Sequence, residues 1–251
     1  MFTRMLIGLD GSPTADEALE QAIVLGSRFK AKLVVAHVKE THGKGRRASD
    51  SGELLQRAQE RVRSAGLAVE TILRQGSADD ELATLARDVD TVLVGRRGRS
   101  SEAQAIGKTV ASLIRITAQS VIVCGSKPSP MNACAIAYDG RETAQRALAL
   151  VARFASVTQS TVHVIHATID PAVGTMVVGE AEALLSLQGI AFVTHIEHGT
   201  PGAAVARVIE RTGCDALFAG AHVGSGRRSD VTVSHAEEIL QHTDIPVVIQ
   251  P

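Results

Sequence analysis

Two Asp-Gly dipeptides, Asp10-Gly11 and Asp139-Gly140, each end a short apolar run and begin a helical pattern. An aspartate at the end of a buried strand can accept hydrogen bonds from a ribose or a base. The glycine beside it permits a tight turn into the helix. A second segment with chemistry runs GRRGRSSEAQAIGKTVASLI from Gly95. Gly95 and Gly98 allow close backbone approach, and Gly107, Lys108 and Thr109 open a helix expected to run to about Thr117. Amides at a helix N-terminus, backed by the helix dipole, bind phosphate oxygens. Arg96, Arg97, Arg99 and Lys108 add positive charge there. An acceptor at one strand end and an anion cradle at another suit a phosphorylated ligand.

Plainer readings stand beside this one. Gly107-Lys108-Thr109 looks like the tail of a Walker A loop, but Glu102 occupies the place of its first glycine. The phosphate cradle of that motif needs both glycines, so a true P-loop is not expected. Asp10 alone is equally a helix-capping residue. Arg96, Arg97 and Arg99 alone are equally a solvated turn, as are Arg227 and Arg228. His163-x2-His166 and His195-x2-His198 invite a metal reading. Residues i and i+3 on a strand face opposite ways, so neither pair chelates by itself. His166 and His198 are the pair that neighbouring strand ends could bring together. No Cys or carboxylate cluster joins them, and no metal site is expected. There is no G-x-S-x-G elbow, no HExxH and no local Cys/His pair, so no catalytic residues are assigned. Any hydrolysis of a phosphorylated ligand would be slow and incidental.

The elements that must position these residues occur twice. Asp10 and Asp139 are 129 residues apart, as are His37 and His166. Ala15, Ala18, Leu19, Ala22, Ile23 and Gly26 fall on one helical face, and Ala144, Ala147, Leu148, Val151, Ala152 and Ala155 repeat it at the same offset. Ser12-Pro13 reads as an N-cap and first-turn pair, with Thr14 to Glu17 as a capping box. RQGSADDELATLARDVDTVLVG matches EHGTPGAAVARVIERTGCDALFAG, pairing Gly76 with Gly199 and Gly95 with Gly220. The segment Glu40–Gly52, expected to be a mobile loop, has no full counterpart in the second half. A period this long is a domain duplication. Strands are expected at 4–9, 32–38, 67–73, 91–95 and 120–124, then at 133–138, 160–166, 190–196, 215–220 and 246–250. They are short and apolar, as strands buried on both faces are, and they alternate with helices. The fold class is α/β with parallel sheets. Gly125–Asn132, rich in Ser and Pro, reads as the linker.

These residues resemble the universal stress protein family, over essentially the whole chain and twice. Asp-Gly-Ser at 10–12 fits its first strand end, and the segment after Gly95 fits its G-x2-G-x9-G-[ST] loop with departures. Eight residues separate Gly98 from Gly107, and Lys108 stands where Ser or Thr is expected, with Thr109 next. In the second half Gly220 matches, Val223 replaces the second glycine, and Val233-Ser234 stands where Gly-Ser would be. The resemblance implies two tandem open five-stranded parallel sheets, order 3-2-1-4-5, of the adenine-nucleotide alpha-hydrolase-like fold, in domains 1–127 and 132–251. It implies ATP, ADP or AMP, with Mg admissible, bound chiefly in the first half, and a part in stress adaptation. Asp10 would contact ribose or adenine, and the backbone at Gly8 and Val38 would flank the base. Gly95, Arg97, Gly98, Gly107, Lys108 and Thr109 would hold phosphates, and Asp139, Gly220 and Ser234 would be their second-half counterparts. Family members pair through their fifth strands, so an internal pseudo-dimer is expected, and a homodimer of whole chains stays open. Two other readings remain: a stress scaffold whose sites have decayed, and an ATP-dependent enzyme of the superfamily. DGSPTAD is a poor match to the S-G-G-x-D-S loop of the last.

Composition narrows the partners. Among 251 residues, Lys+Arg is 26 and Asp+Glu is 27, without the basic excess of a nucleic-acid binder. Aromatics are 2%, too few for a base-stacking surface, and the core must be built from Val, Ile, Leu and Ala. No uncharged apolar run reaches the roughly 18 residues of a membrane span. Three scattered cysteines form no zinc spacing and suit a reducing cytoplasm.

Overall fold

A computed structural model describes residues 1–40, 48–97, 106–221 and 235–251. The chain divides into two compact units, Met1–Pro130 and Met131–Pro251. Unit 1 runs β1 (Arg4–Gly8), α1 (Pro13–Phe29), β2 (Lys32–Lys39), α2 (Ala48–Ser64), β3 (Val69–Gln75), α3 (Ala78–Ala86), β4 (Thr91–Gly95), α4 (Lys108–Ile116) and β5 (Ser120–Cys124). Its sheet order is β3-β2-β1-β4-β5, with every pairing parallel. Unit 2 runs β6 (Cys134–Ala137), α5 (Glu142–Thr158), β7 (Val162–Ala167), α6 (Pro171–Leu187), β8 (Phe192–Glu197), α7 (Pro201–Thr212), β9 (Ala216–Gly220), α8 (His235–His242) and β10 (Val247–Gln250). Its order, β8-β7-β6-β9-β10, repeats that of unit 1.

The central strands are buried on both faces, which is why they read as unbroken apolar runs. Met5, Leu6 and Ile7 of β1 and Leu93 of β4 have no solvent exposure. Strand order reverses between β1 and β4, and between β6 and β9. At such a reversal the connections leave in opposite directions and open a crevice beyond the strand ends.

Local physics refines the sequence expectations. Ser12 caps α1: its Oγ accepts from Ala15 N at 3.2 Å, and Pro13 is the first helical residue. The Thr14-to-Glu17 capping box does not form, because Thr14 already lies inside the helix and its hydroxyl donates to Arg97 O. The predicted α1 face holds except at Ile23, which is partly exposed, while Gln21 and Leu25 are buried. Gln21 explains itself: its amide donates to Ser129 O and accepts from Ser129 N, both at 2.8 Å, and so ties the predicted linker to α1.

The edge strands β3 and β8 begin two residues later than the apolar runs suggest. Leu67 N–H donates to Val62 O and Ile190 N–H to Leu185 O, after Gly66 at φ 74° and Gly189 at φ 65°. These are Schellman closures, so the first apolar residues end a helix rather than start a strand. Of the expected mobile loop, residues 41–47 lie outside the described residues and Ala48–Gly52 belongs to α2.

Candidate functional site

In unit 1 the ends of three elements converge beyond β1 and β4. Asp10 Oδ1 accepts from Ser12 N–H at 2.8 Å, a turn made possible by Gly11 at φ 75°. That positive φ favours glycine, which has no Cβ to clash. Gly95 ends β4 hard against the start of α1: a Cβ there would lie 2.5 Å from the Thr14 carbonyl carbon. Its glycine is therefore demanded by helix packing, whatever else the loop does. Gly107 N–H donates to Arg96 O at 3.0 Å, which holds the N-terminus of α4 beside the end of β4. Gly107 is the N-cap of α4 and offers no side-chain acceptor, while Lys108 is exposed on its first turn and Thr109 half-buried. The first-turn amides of α4 are thus not covered by a cap side chain.

Gly8 ends β1 beside Ala36 of β2, and a Cβ on it would meet Leu82 of α3 at 3.0 Å. Val38, near the end of β2, is half-buried. Asp10, Gly95, Arg97, Gly107 and Lys108 are thereby gathered around the ends of β1 and β4. Gly98 and Ser234 lie outside the described residues, as do Arg99, Arg227 and Arg228.

Unit 2 repeats the aspartate turn. Asp139 Oδ1 accepts from Arg141 N–H at 3.0 Å, with Gly140 at φ 77°. Arg141 Nε also stands 3.6 Å from Asp139 Oδ2. Gly220 meets α5 as Gly95 meets α1, since a Cβ would lie 2.4 Å from the Thr143 carbonyl carbon. A cleft opens between these strand ends, with about 660 Å³ of empty space that includes its solvent-filled mouth. Asp139, Gly220 and His166 line it, with an apolar wall that includes Ile165, Val205 and Ile239. Ala137, the counterpart of Gly8, is also in the lining. Sequence reasoning weighted the first half, yet here the second half shows a well-formed recess. Among its described lining residues there is no lysine or arginine.

Two features escaped the sequence reading. Tyr138, the counterpart of Leu9, is buried at the cleft and its hydroxyl donates to Glu180 Oε2 at 3.3 Å. Burial and the Glu180 carboxylate push its phenol up to about 12. His37 and His166 are both buried, and each points Nδ1 at a main-chain carbonyl: Leu9 O at 2.7 Å and Tyr138 O at 2.8 Å. The signal in the sequence is a histidine at the same strand position of each half, which spacing marks as part of the repeat and, for His166, as a candidate partner of His198, but not as a residue bound to a main-chain carbonyl.

The histidine pair that meets is not His166 with His198. His163 Nδ1 lies 2.9 Å from His195 Nε2 across β7 and β8. Arg211 Nη2 lies 3.3 Å from His195 Nδ1 and 2.7 Å from Glu197 Oε1. A guanidinium only donates, so His195 Nδ1 accepts and its Nε2–H donates to His163. Both imidazoles are held below their ordinary range by burial, and His195 further by the positive charges of His163 and Arg211. The Arg211 hydrogen bond holds Glu197 below the usual carboxylate range. Among the described residues no group of three or more His, Cys, Asp or Glu is placed to hold a metal ion.

The universal stress protein family matches residues 1–125 and, a second time, 131–251. The chain belongs to the universal stress protein family. It is a tandem universal stress protein with two units of the adenine-nucleotide alpha-hydrolase-like fold. A universal stress protein of Synechocystis sp. is 27% identical over 97% of this chain and 82% of its own length. The crystal structure of a universal stress protein from Archaeoglobus fulgidus DSM 4304 superposes with TM-score 0.83 at 20% identity, over 98% of this chain and 95% of that one. A functionally unknown protein from Pseudomonas aeruginosa PAO1 superposes with TM-score 0.74 at 14% identity, over 99% and 92%. At these identities the two structures speak to fold. No helix among the described residues is long and apolar enough to cross a membrane.

Proposed function

We propose that this tandem universal stress protein binds adenine nucleotides at the strand ends of its units and acts as a nucleotide-responsive protein in stress adaptation. The observation that carries the reading is the cleft in unit 2, with Asp139 and Gly220 in its lining. It sits where open parallel sheets take ligands. Unit 1 builds the same aspartate turn and adds the N-terminus of α4 with Lys108. Phosphates are therefore assigned to unit 1, with Gly107, Lys108 and Thr109 around them. The unit 2 cleft suits a base and sugar. Asp10 and Asp139 are assigned to donors on the ribose or the adenine, and no residue is assigned a catalytic step.

Small molecules released from freshly purified protein are identified by mass spectrometry, and ATP and adenosine are titrated into the stripped chain by calorimetry. Asparagine keeps the Asp turn but removes the charge, so Asp10→Asn and Asp139→Asn test the carboxylates without unmaking the loops. Each is expected to weaken its own site about tenfold or more, the worth of a hydrogen bond to a charged group. If nothing is released and neither ligand gives heat, nucleotide binding is wrong and the scaffold reading replaces it.

A further inference from the structure

We infer that His166, and His37 in the same place in unit 1, are specificity-determining residues: imidazoles locked in one tautomer that present Nε2 as a hydrogen-bond acceptor to the ligand. The inference rests on the proposed adenine-nucleotide site and names a group in it that reads the ligand.

The lock follows from what a carbonyl can do. Tyr138 O only accepts, so the His166 nitrogen 2.8 Å from it must carry the proton. A neutral imidazole has one N–H, which leaves Nε2 with its lone pair. His166 is only 7% exposed, yet it lines the cleft. Its Nε2 has no hydrogen-bond partner among the described residues and is not sealed from solvent. A buried acceptor left open in this way favours a ligand that brings a donor and penalises one that does not. His37 makes the same arrangement with Leu9 O at 2.7 Å, 6% exposed.

The lock also takes over part of the sheet. Leu9 N–H donates to Ala36 O, and Tyr138 N–H to Ile165 O, at those strand ends. The next carbonyl on each first strand then goes to an imidazole. The histidine therefore closes the ladder with one nitrogen and leaves the other without a partner among the described residues. Beside it in unit 2 stands the Asp139 carboxylate, a second acceptor. Two acceptors on one wall select ligands with at least two donors, such as an exocyclic amine and a ribose hydroxyl.

The test uses the full chain and its His37→Asn/His166→Asn variant. The asparagine amide reaches the position of Nδ1 and can still donate to the carbonyl, but it places nothing at Nε2. Four probes are titrated: adenosine, purine riboside (which lacks the exocyclic amine), 2′-deoxyadenosine and 3′-deoxyadenosine. The variant is expected to bind adenosine roughly tenfold more weakly. One of the three analogues should be insensitive to the substitution, because it lacks the donor that Nε2 reads. Nitrogen-15 spectra of the histidine-labelled wild-type chain read the tautomer without any variant. They are expected to show Nδ1–H with a bare Nε2 at both positions, and a shift of Nε2 when adenosine is added. An Nε2–H tautomer overturns the inference, as does equal weakening of all four probes or no weakening. No binding of adenosine by the wild-type chain overturns the nucleotide reading itself, and the two failures are thereby told apart.

Discussion

His163 and His195 show how a pair of side chains converts burial into pH dependence. Arg211 donates to His195, and His195 donates to His163, so every accepting nitrogen in the chain of contacts is already used. A proton added to either ring must break one of these contacts and place a second cation beside Arg211. Both imidazoles therefore titrate below the value of 6.5 they have in an unfolded chain. Between those two values the unfolded state takes up protons and the folded state does not. The contribution of the pair is present above about pH 6.5 and is lost as the pH falls through the lowered folded values. Glu197, lowered from 4.5, loses its contribution only at more acidic pH. Urea unfolding at pH 7.5 and pH 5.5 reads the effect. His163→Gln should show a smaller loss between the two pH values than the wild type. An equal loss in both proteins would mean that other groups carry the acid sensitivity.

Elements explain what the sequence disclosed and what it hid. The alternation of apolar runs and helical faces located the strands, because buried parallel strands and amphipathic helices leave different periods. The edge strands were misplaced by two residues because Leu67 and Ile190 are apolar for another reason: they close α2 and α6. Spacing singles out the glycines at the strand ends, but it does not say whether a glycine serves a ligand or a neighbour. Gly95 shows the difference, since any Cβ would strike the backbone of Thr14. The His166 contact was hidden because the carbonyl it bonds, Tyr138 O, follows a different strand, β6. Tyr138 was hidden because Glu180, its partner, lies 42 positions away. A pair of substitutions tests the packing account. Gly95→Ala forces α1 off β4 and should cost about 3 kcal/mol, the upper part of the range for overpacking. Gly179→Ala lies in the middle of α6 with nothing within 4 Å of the new methyl, and should stabilise by about 0.5–1 kcal/mol. Denaturant midpoints that move the same way for both would refute the account.

At the scale of the whole chain, one ancestral unit is written twice and the two copies now carry different surroundings for the same turn. Unit 1 keeps Lys108 on the first turn of α4, with Gly107 as a cap that leaves the amides uncovered. The described lining of the unit 2 cleft holds Asp139, His166 and Tyr138 among apolar groups, and no lysine or arginine. The proposed sites should therefore respond differently to ionic strength. Between about 0.1 M and about 1 M salt the screening length falls from about 10 Å to about 3 Å. Attraction between phosphates and an exposed lysine weakens over that range, whereas contacts to a base and sugar in an apolar cleft do not. Binding of ATP is expected to weaken with salt and to be reduced by Lys108→Ala and by Asp10→Asn. Binding of adenosine is expected to hold through the same titration and to be reduced by Asp139→Asn. Calorimetry of the full chain with both ligands at both salt levels separates the two. If ATP and adenosine respond alike to salt and to all three substitutions, the copies have not diverged in what they bind, and the assignment of phosphates to unit 1 fails.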